Sequence, residues 1–317
     1  MKNIVLFLLR LFVAVALIFA LFKLIPYRAL VGILKHSKKI YIFYGLLIFF
    51  ASNAMAVIRW RYILKWLGIK IRRREAFMAF FSGLFFNLFF PSFIAGDVFR
   101  AGAISYRHGK LKKSASSVFM DRFSGSVSLA VVASFAAFAG IKKNISPHIL
   151  SAIFVLLAII GSVTVVIFSR RVFNFILKIV RNANLRERIT KFHDELYLFR
   201  EHPRAFFTCM VVSAFIHIFT CLCFYVTGFA FGLNLSFVDY LIVVPIIMTV
   251  ALIPVSIAGV GTREAASVYF FSMIGVDKTI ALSLSLINLA SVILLSVFGG
   301  LVYLAFYHRM MQRKAVL

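Results

Sequence analysis

The chain has 317 residues, 62% apolar and only 15% charged, with 36 Lys and Arg against 10 Asp and Glu. Apolar runs of about 20 residues recur along nearly the whole length, as transmembrane helices require, and no stretch leaves room for a soluble domain. This composition excludes an ordinary cytosolic enzyme. The formal net charge of +26 sits in short clusters between apolar runs, which points to membrane topology and anionic head groups and away from nucleic acid.

From the N-terminus, Met1 to Ile25 has a basic start followed by apolar residues that continue to Leu24, which predicts an uncleaved first helix over 4–25. Further full spans are expected over 40–58, 116–140, 148–168, 205–230 and 279–307. Asn53, Arg59, Trp60 and Arg61 close the second of these as an interfacial aromatic and basic collar. The segments 76–98 and 238–262 are apolar but interrupted by Pro and Gly. Between Arg170 and Arg204, Phe173, Ile176, Leu177 and Val180 recur at helical spacing among nine basic residues and four acids, Glu187, Asp194, Glu195 and Glu201. That pattern predicts an amphipathic helix on the inner leaflet within a loop over 169–204, with His193 as a solvated surface histidine.

Lys and Arg number seven from Arg59 to Arg74, five from Arg100 to Lys113 and nine from Arg170 to Arg204, so all three connections belong in the cytoplasm. Two consecutive cytoplasmic clusters cannot flank one complete span. The segment 76–98 is therefore expected to enter and return as a re-entrant hairpin. By the same parity, 238–262 dips in from the opposite face, and both termini are cytoplasmic. From Pro91 the chain reads P-S-F-I-A-G-D-V-F-R, and from Pro254 it reads P-V-S-I-A-G-V-G-T-R. Five identities at the same offsets suggest an inverted-topology repeat, the architecture of many secondary transporters. The expected fold is thus an all-α polytopic membrane protein, one domain over 1–317, with about six full spans plus two broken re-entrant hairpins.

The residues with chemistry are few. Asp97, Arg100, Asp121, Arg122, Arg263 and Glu264 lie in or beside apolar segments, where an ionised side chain costs about 2.5–3.5 kcal/mol unless paired or hydrated. One reading is that they are paired structural charges, with Arg100 snorkelling to the surface. The functional reading is a polar cavity in which Arg100, Arg122 and Arg263 bind a phosphate, since guanidinium forks match its geometry. Asp97, Asp121 and Glu264 then balance the arginines, receive a cationic head group or carry protons. Gly96, Gly259 and Gly261 let backbone N–H groups approach the ligand, while Asn87 and Ser92 supply neutral hydrogen bonds. Pro91 and Pro254 are architectural. Cys209, Cys221 and Cys223 share one apolar run and are expected to be buried free thiols. No metal site and no cofactor is expected, and the absence of a P-loop argues against an ATP-driven pump.

Three stretches together, Asn87 to Arg100, Ser117 to Gly125 and Ile253 to Glu264, make the chain recognisable. It resembles the flippase-like transmembrane domain of bacterial lysylphosphatidylglycerol synthetases and their free-standing relatives, over essentially its full length. Asn87, Pro91, Gly96, Asp97, Arg100, Asp121, Arg122, Arg263 and Glu264 fall on that family's motif positions; Ala95 stands where a second Gly is usual. The resemblance implies an inner-membrane lipid translocase without the soluble synthetase domain. Its partner would be an anionic or polyisoprenoid phospholipid, and an associated lipid-modifying enzyme is compatible with it. The competing functions are an integral membrane transferase or hydrolase with Asp97 or Asp121 as general base, and an assembly partner for such an enzyme.

Overall fold

The computed structural model describes residues 27–89, 95–139, 147–178, scattered positions between 182 and 197, 203–252 and 259–314. The first expected span, 4–25, lies outside the described residues, as do Pro91, Ser92, Val180 and Pro254. The described secondary structure is helical: α1 (Tyr27–His36), α2 (Lys39–Trp66), α3 (Arg73–Phe89), α4 (Ala95–His108), α5 (Leu111–Ala139), α6 (Pro147–Phe168), α7 (Arg170–Leu177), α8 (Pro203–Phe229), α9 (Phe237–Leu252), α10 (Thr262–Ser272) and α11 (Lys278–Lys314). Four of these, α2, α5, α8 and α11, are long and apolar enough to cross a membrane, and α6 with α7 makes up to a fifth span as a pair bent by 92°. Their outward faces are apolar, with Phe135, Phe154, Leu301 and Leu304 all more than 60% exposed, as a lipid-facing surface requires.

Both expected hairpins are larger than the sequence suggested. The first runs from α3 through α4 to residue 108, and the second from α9 through α10 to residue 272. Their returning arms escape a hydropathy search because each carries charged and small residues among its apolar ones. The first hairpin is closed at both ends. At its base Glu75, in the first turn of α3, pairs with His108 at 3.0 Å and Arg107 at 3.6 Å at the end of α4. Near its tip the Asn87 Oδ1 accepts the Gly96 N–H at 2.8 Å. In the second hairpin Tyr240, early in α9, meets Phe271, late in α10, with ring centroids 5.7 Å apart. With α3 at 17 residues and α9 at 16, these arms rise about 25 Å, short of the roughly 30 Å hydrocarbon core.

The long helices receive these hairpins crosswise. The N-terminal half of α5 packs on α4, Val118 joining Ala101 and Ile104 in one apolar cluster, while further along Leu129 and Ala130 meet Met248 of α9. On α11 the N-terminal half meets α10, where the Ser267 hydroxyl donates to the Ala281 carbonyl at 3.0 Å. Its C-terminal half meets α3, where Phe298 packs edge-on against Phe81 with ring centroids 5.6 Å apart. At that second contact a Cβ added to Gly299 would collide with the Phe81 carbonyl. The two backbones touch, as small residues permit between membrane helices.

Two expectations about the 169–204 loop change. In α7, Phe173 and Leu177 are buried, whereas Phe175 and Ile176 are exposed at 70% and 41%. The helix turns sharply from α6 after the Ser169 N-cap, so Ile176 points away from the protein and Phe173 toward it. His193 is not solvated: it is 5% exposed, stacks on Phe173 at 3.6 Å and donates to the Val166 carbonyl at 3.3 Å. The three cysteines are free and buried.

Gly299→Val should destabilise the protein by about 1–3 kcal/mol by forcing α3 off α11. Gly102→Ala, where a Cβ meets nothing within 4 Å, should be neutral or stabilising by up to about 1 kcal/mol. Melting midpoints in one detergent compare the two. Burial holds the His193 pKa below its ordinary 6.5, against the raising effect of the carbonyl hydrogen bonds and Asp194, with Arg170 adding to the lowering. Docking of this segment on α7 is therefore complete above about pH 6.5 and weakens as the pH falls through that value toward the lower docked pKa. The protection of α7 amides from exchange, taken relative to the intrinsic rate at each pH, should be lower at about pH 5.5 than at about pH 7.5, and the same at both in His193→Phe.

Candidate functional site

The embedded charges form two clusters. The first spans α2, α4 and α5 and alternates in sign. Arg59 Nε donates to Asp121 Oδ1 at 2.8 Å, and Arg100 Nη1 and Nη2 donate to Asp121 Oδ2 at 3.3 and 3.2 Å. Arg100 Nη2 also lies 3.2 Å from Asp97 Oδ1. Arg122 then holds both Asp97 oxygens, from Nε at 2.8 Å and Nη2 at 3.1 Å. The inner end is anchored on α8, where the Ser213 hydroxyl accepts from Arg59 Nη1 at 2.7 Å.

Arg100 does not snorkel. Its guanidinium packs on two neighbouring rings, Trp60 at 4.7 Å and Phe80 at 4.9 Å, with the residue 4% exposed. Trp60 is fully buried, and its Nε1 donates to the Ser117 hydroxyl at 3.1 Å. The interfacial collar expected at Asn53, Arg59, Trp60 and Arg61 is therefore corrected. Because α2 runs on to Trp66, Arg59 and Trp60 sit within the helix and face the core, Asn53 donates back to the Phe49 carbonyl, and Arg61 bonds the Ile71 carbonyl. Arg59 is the site residue that sequence reasoning missed. Its available signal was an apolar pattern that continues past it through Ile63 and Leu64.

Asp121 and Arg122 are neighbours in the chain but do not pair with each other. At about 100° per residue they leave α5 in different directions, Asp121 into the core at 2% exposure and Arg122 outward, its side chain 47% exposed. Arg122 lies about 16 Å along α5 from Leu111, at membrane depth.

The second cluster is compact and sits where α10 meets α11. Gly259 and Gly261 have φ of 71° and 87°, left-handed geometry that glycine adopts at little cost. Glu264, at the third position of α10, reaches back so that its Oε2 accepts the Gly261 N–H at 2.6 Å, the reciprocal half of a capping box. Its Oε1 accepts from Arg263 Nη2 at 2.9 Å, Arg263 Nε at 3.1 Å and the Ser285 hydroxyl at 3.3 Å. Arg263 Nη1 makes a long 3.5 Å contact to Asn288 Oδ1. Arg263 and Glu264 are both buried, and the Asn288 amide nitrogen is buried without a partner among the described residues.

The two clusters share an organisation. Arg100 and Arg263 hold the same place in their hairpins' motifs, and each reaches a polar residue ten positions into the following long helix, Asp121 in α5 and Asn288 in α11. No hydrogen bond or ion pair joins the two clusters among the described residues. The N–H groups of Gly96 and Gly261 are both occupied within the protein, by Asn87 and Glu264. Gly96 serves close packing, since a Cβ there would strike the Gly83 carbonyl of α3. No group of metal-ligating side chains occurs among the described residues.

An all-helical architecture with four to five candidate spans defines a polytopic membrane protein. The family profile described as Lysylphosphatidylglycerol synthase TM region matches residues 7–303, nearly the whole chain, and the protein belongs to that family. A search of curated proteins finds no match. Family membership carries association with lipids and the membrane.

Asp121→Asn should lower stability by about 3–5 kcal/mol, because it leaves Arg59 and Arg100 facing a neutral group in the core. The double variant Arg59→Met/Asp121→Leu should lose less than the sum of its single changes. Thermal unfolding of the four species in a double-mutant cycle measures that coupling.

Proposed function

We propose that this protein is a lipid translocase of the inner membrane that moves a phosphate-bearing lipid between leaflets. The observation that carries the reading is the alternating charge ladder at membrane depth, closed at Ser213 and open at Arg122. Charges buried in a bilayer are costly, and a ladder that reaches the outside of the helix bundle gives a polar head group a place to leave the interface. Guanidinium forks from Arg100, Arg122 and Arg263 are the groups suited to its phosphate, and the tails stay among the exposed apolar faces of the long helices.

The motion we propose is a rocking of two inverted repeats, α3–α4–α5 against α9–α10–α11, with both termini cytoplasmic. The crosswise packing supports it: each long helix receives its own hairpin at its N-terminal half and the other unit's entering arm further along. Asn87, Gly259 and Gly261 lie toward the two tips in this scheme. The enzymatic alternative finds less support. Both oxygens of Asp121 and of Asp97 accept from arginines, and such pairing holds a carboxylate ionised and lowers its basicity toward a substrate proton.

The test is leaflet exchange in liposomes containing the purified protein, using head-group-labelled phosphatidylglycerol, aminoacyl-phosphatidylglycerol and a polyprenyl-phosphate lipid. Exchange of at least one lipid should be fast for the wild type and slower by about tenfold or more in Arg100→Ala and Arg263→Ala, the scale of losing one charged hydrogen bond. Exchange that persists in folded variants, or no exchange of any lipid, overturns the reading.

A further inference from the structure

The ladder does not balance. Arg59, Arg100 and Arg122 bring three positive charges, and Asp97 and Asp121 two negative ones. The other described acids are engaged elsewhere: Glu75 with Arg107 and His108, Asp194 with Arg170, Glu187 with Lys191, Glu264 with Arg263, Asp239 with Ser236, and Asp277 with the N–H groups at the start of α11. One positive charge is left over about 16 Å into α5, where an uncompensated ion is expensive.

The excess has a direction. Side-chain exposure along the ladder is 8% for Arg59, 3% for Asp121, 5% for Arg100, 14% for Asp97 and 47% for Arg122. Among the described residues of the ladder, the Arg122 end is the one open to a neutralising anion. Beside that end the outer face of α4 presents Val98 and Tyr106, 64% and 57% exposed, with Gly102 open between them. The approach is flanked by apolar surface, which suits acyl chains rather than a dissolved ion. Behind it, Arg100 Nε is buried without a hydrogen-bond partner among the described residues, so the ladder holds an unused donor as well as an unused charge.

We infer that Arg122 and Asp97 form a docking point for a lipid head group of one net negative charge, its phosphodiester reaching Arg122 sideways from the bilayer along the outer face of α4. The inference rests on the lipid-handling reading above and adds to it a charge class and a route. A zwitterionic head group leaves the ladder positive, and one with two negative charges overshoots. A singly anionic phosphodiester neutralises it and brings acceptor oxygens for the Arg122 N–H groups that Asp97 does not take.

Binding, not transport, tests this. The purified full chain is mixed with phosphatidylglycerol and phosphatidylethanolamine, and retained lipids are counted by native mass spectrometry. One phosphatidylglycerol should persist against excess phosphatidylethanolamine, with a preference of about tenfold or more. Arg122→Gln, which makes the ladder neutral on an exposed side chain, should abolish the preference; Arg122→Lys should keep it, and Asp97→Asn should strengthen it. Lys112→Gln/Lys113→Gln, in the basic connection, should leave it intact. A preference that survives Arg122→Gln but disappears with the lysines assigns it to the basic collar and overturns the proposal. Displacement of the lipid by water-soluble glycerophosphoglycerol or inorganic phosphate overturns the lateral route. Retention without leaflet exchange leaves this docking point standing and removes the translocase reading, whereas exchange without charge preference does the reverse.

Discussion

Asp121 is shared between guanidinium groups of two other helices, Arg59 of α2 on one oxygen and Arg100 of α4 on the other. An acid in that position cannot lose either partner cheaply, because the remaining charges stay buried. It therefore fixes how the α2–α8 pair, through Arg59 and Ser213, meets the first hairpin, and how both meet α5. Trp60 completes the constraint from the apolar side: its indole donates to Ser117 of α5 while its face covers Arg100. Four helices are thus registered on one carboxylate, and the outward display of Asp97 and Arg122 follows from that registration.

The two hairpins carry matching arginines in unlike settings. Around Arg263 charge is balanced one against one, and Glu264 is occupied by the helix cap, its own neighbour and Ser285. Around Arg100 there is a surplus of positive charge, a path to the outside and a pair of aromatic rings packed on the guanidinium. The same local motif thus makes a closed, neutral joint in one half and an open, charged one in the other.

Much of the helical architecture was legible because long apolar runs and Lys and Arg clusters are one-dimensional signals. The segments interrupted by Pro and Gly each fall within a longer helix pair, α3 with α4 and α9 with α10. Their returning arms were not legible, since α4 alternates charged, small and apolar residues and no hydropathy window registers it. Arg59 was misread for a related reason: the first arginine after an apolar run looks like the end of a span, and only its three-dimensional partner, 62 positions away, makes burial tolerable. Adjacent Asp121 and Arg122 looked like a pair because sequence proximity hides the turn of the helix between them. Likewise the partners of the three arginines were hidden, because Arg263 bonds Asn288 of α11, 25 positions on, and Arg122 bonds Asp97, 25 positions back.

The α3 helix meets its neighbours through glycine at two places: Gly83 against Gly96 of α4, and Phe81 and Phe85 against Gly299 and Gly300 of α11. Where side-chain ridges interlock, one helix can turn against another only by lifting ridge over ridge. Here the glycines are the grooves: the Arg100 stem lies over Gly83 and the Phe85 ring over Gly300, with Phe298 set against Phe81 beside them. The entering arm of the first hairpin is consequently held at its ends, by Glu75 and Asn87, and keyed along its length, so that it can turn only together with the helices it bears on.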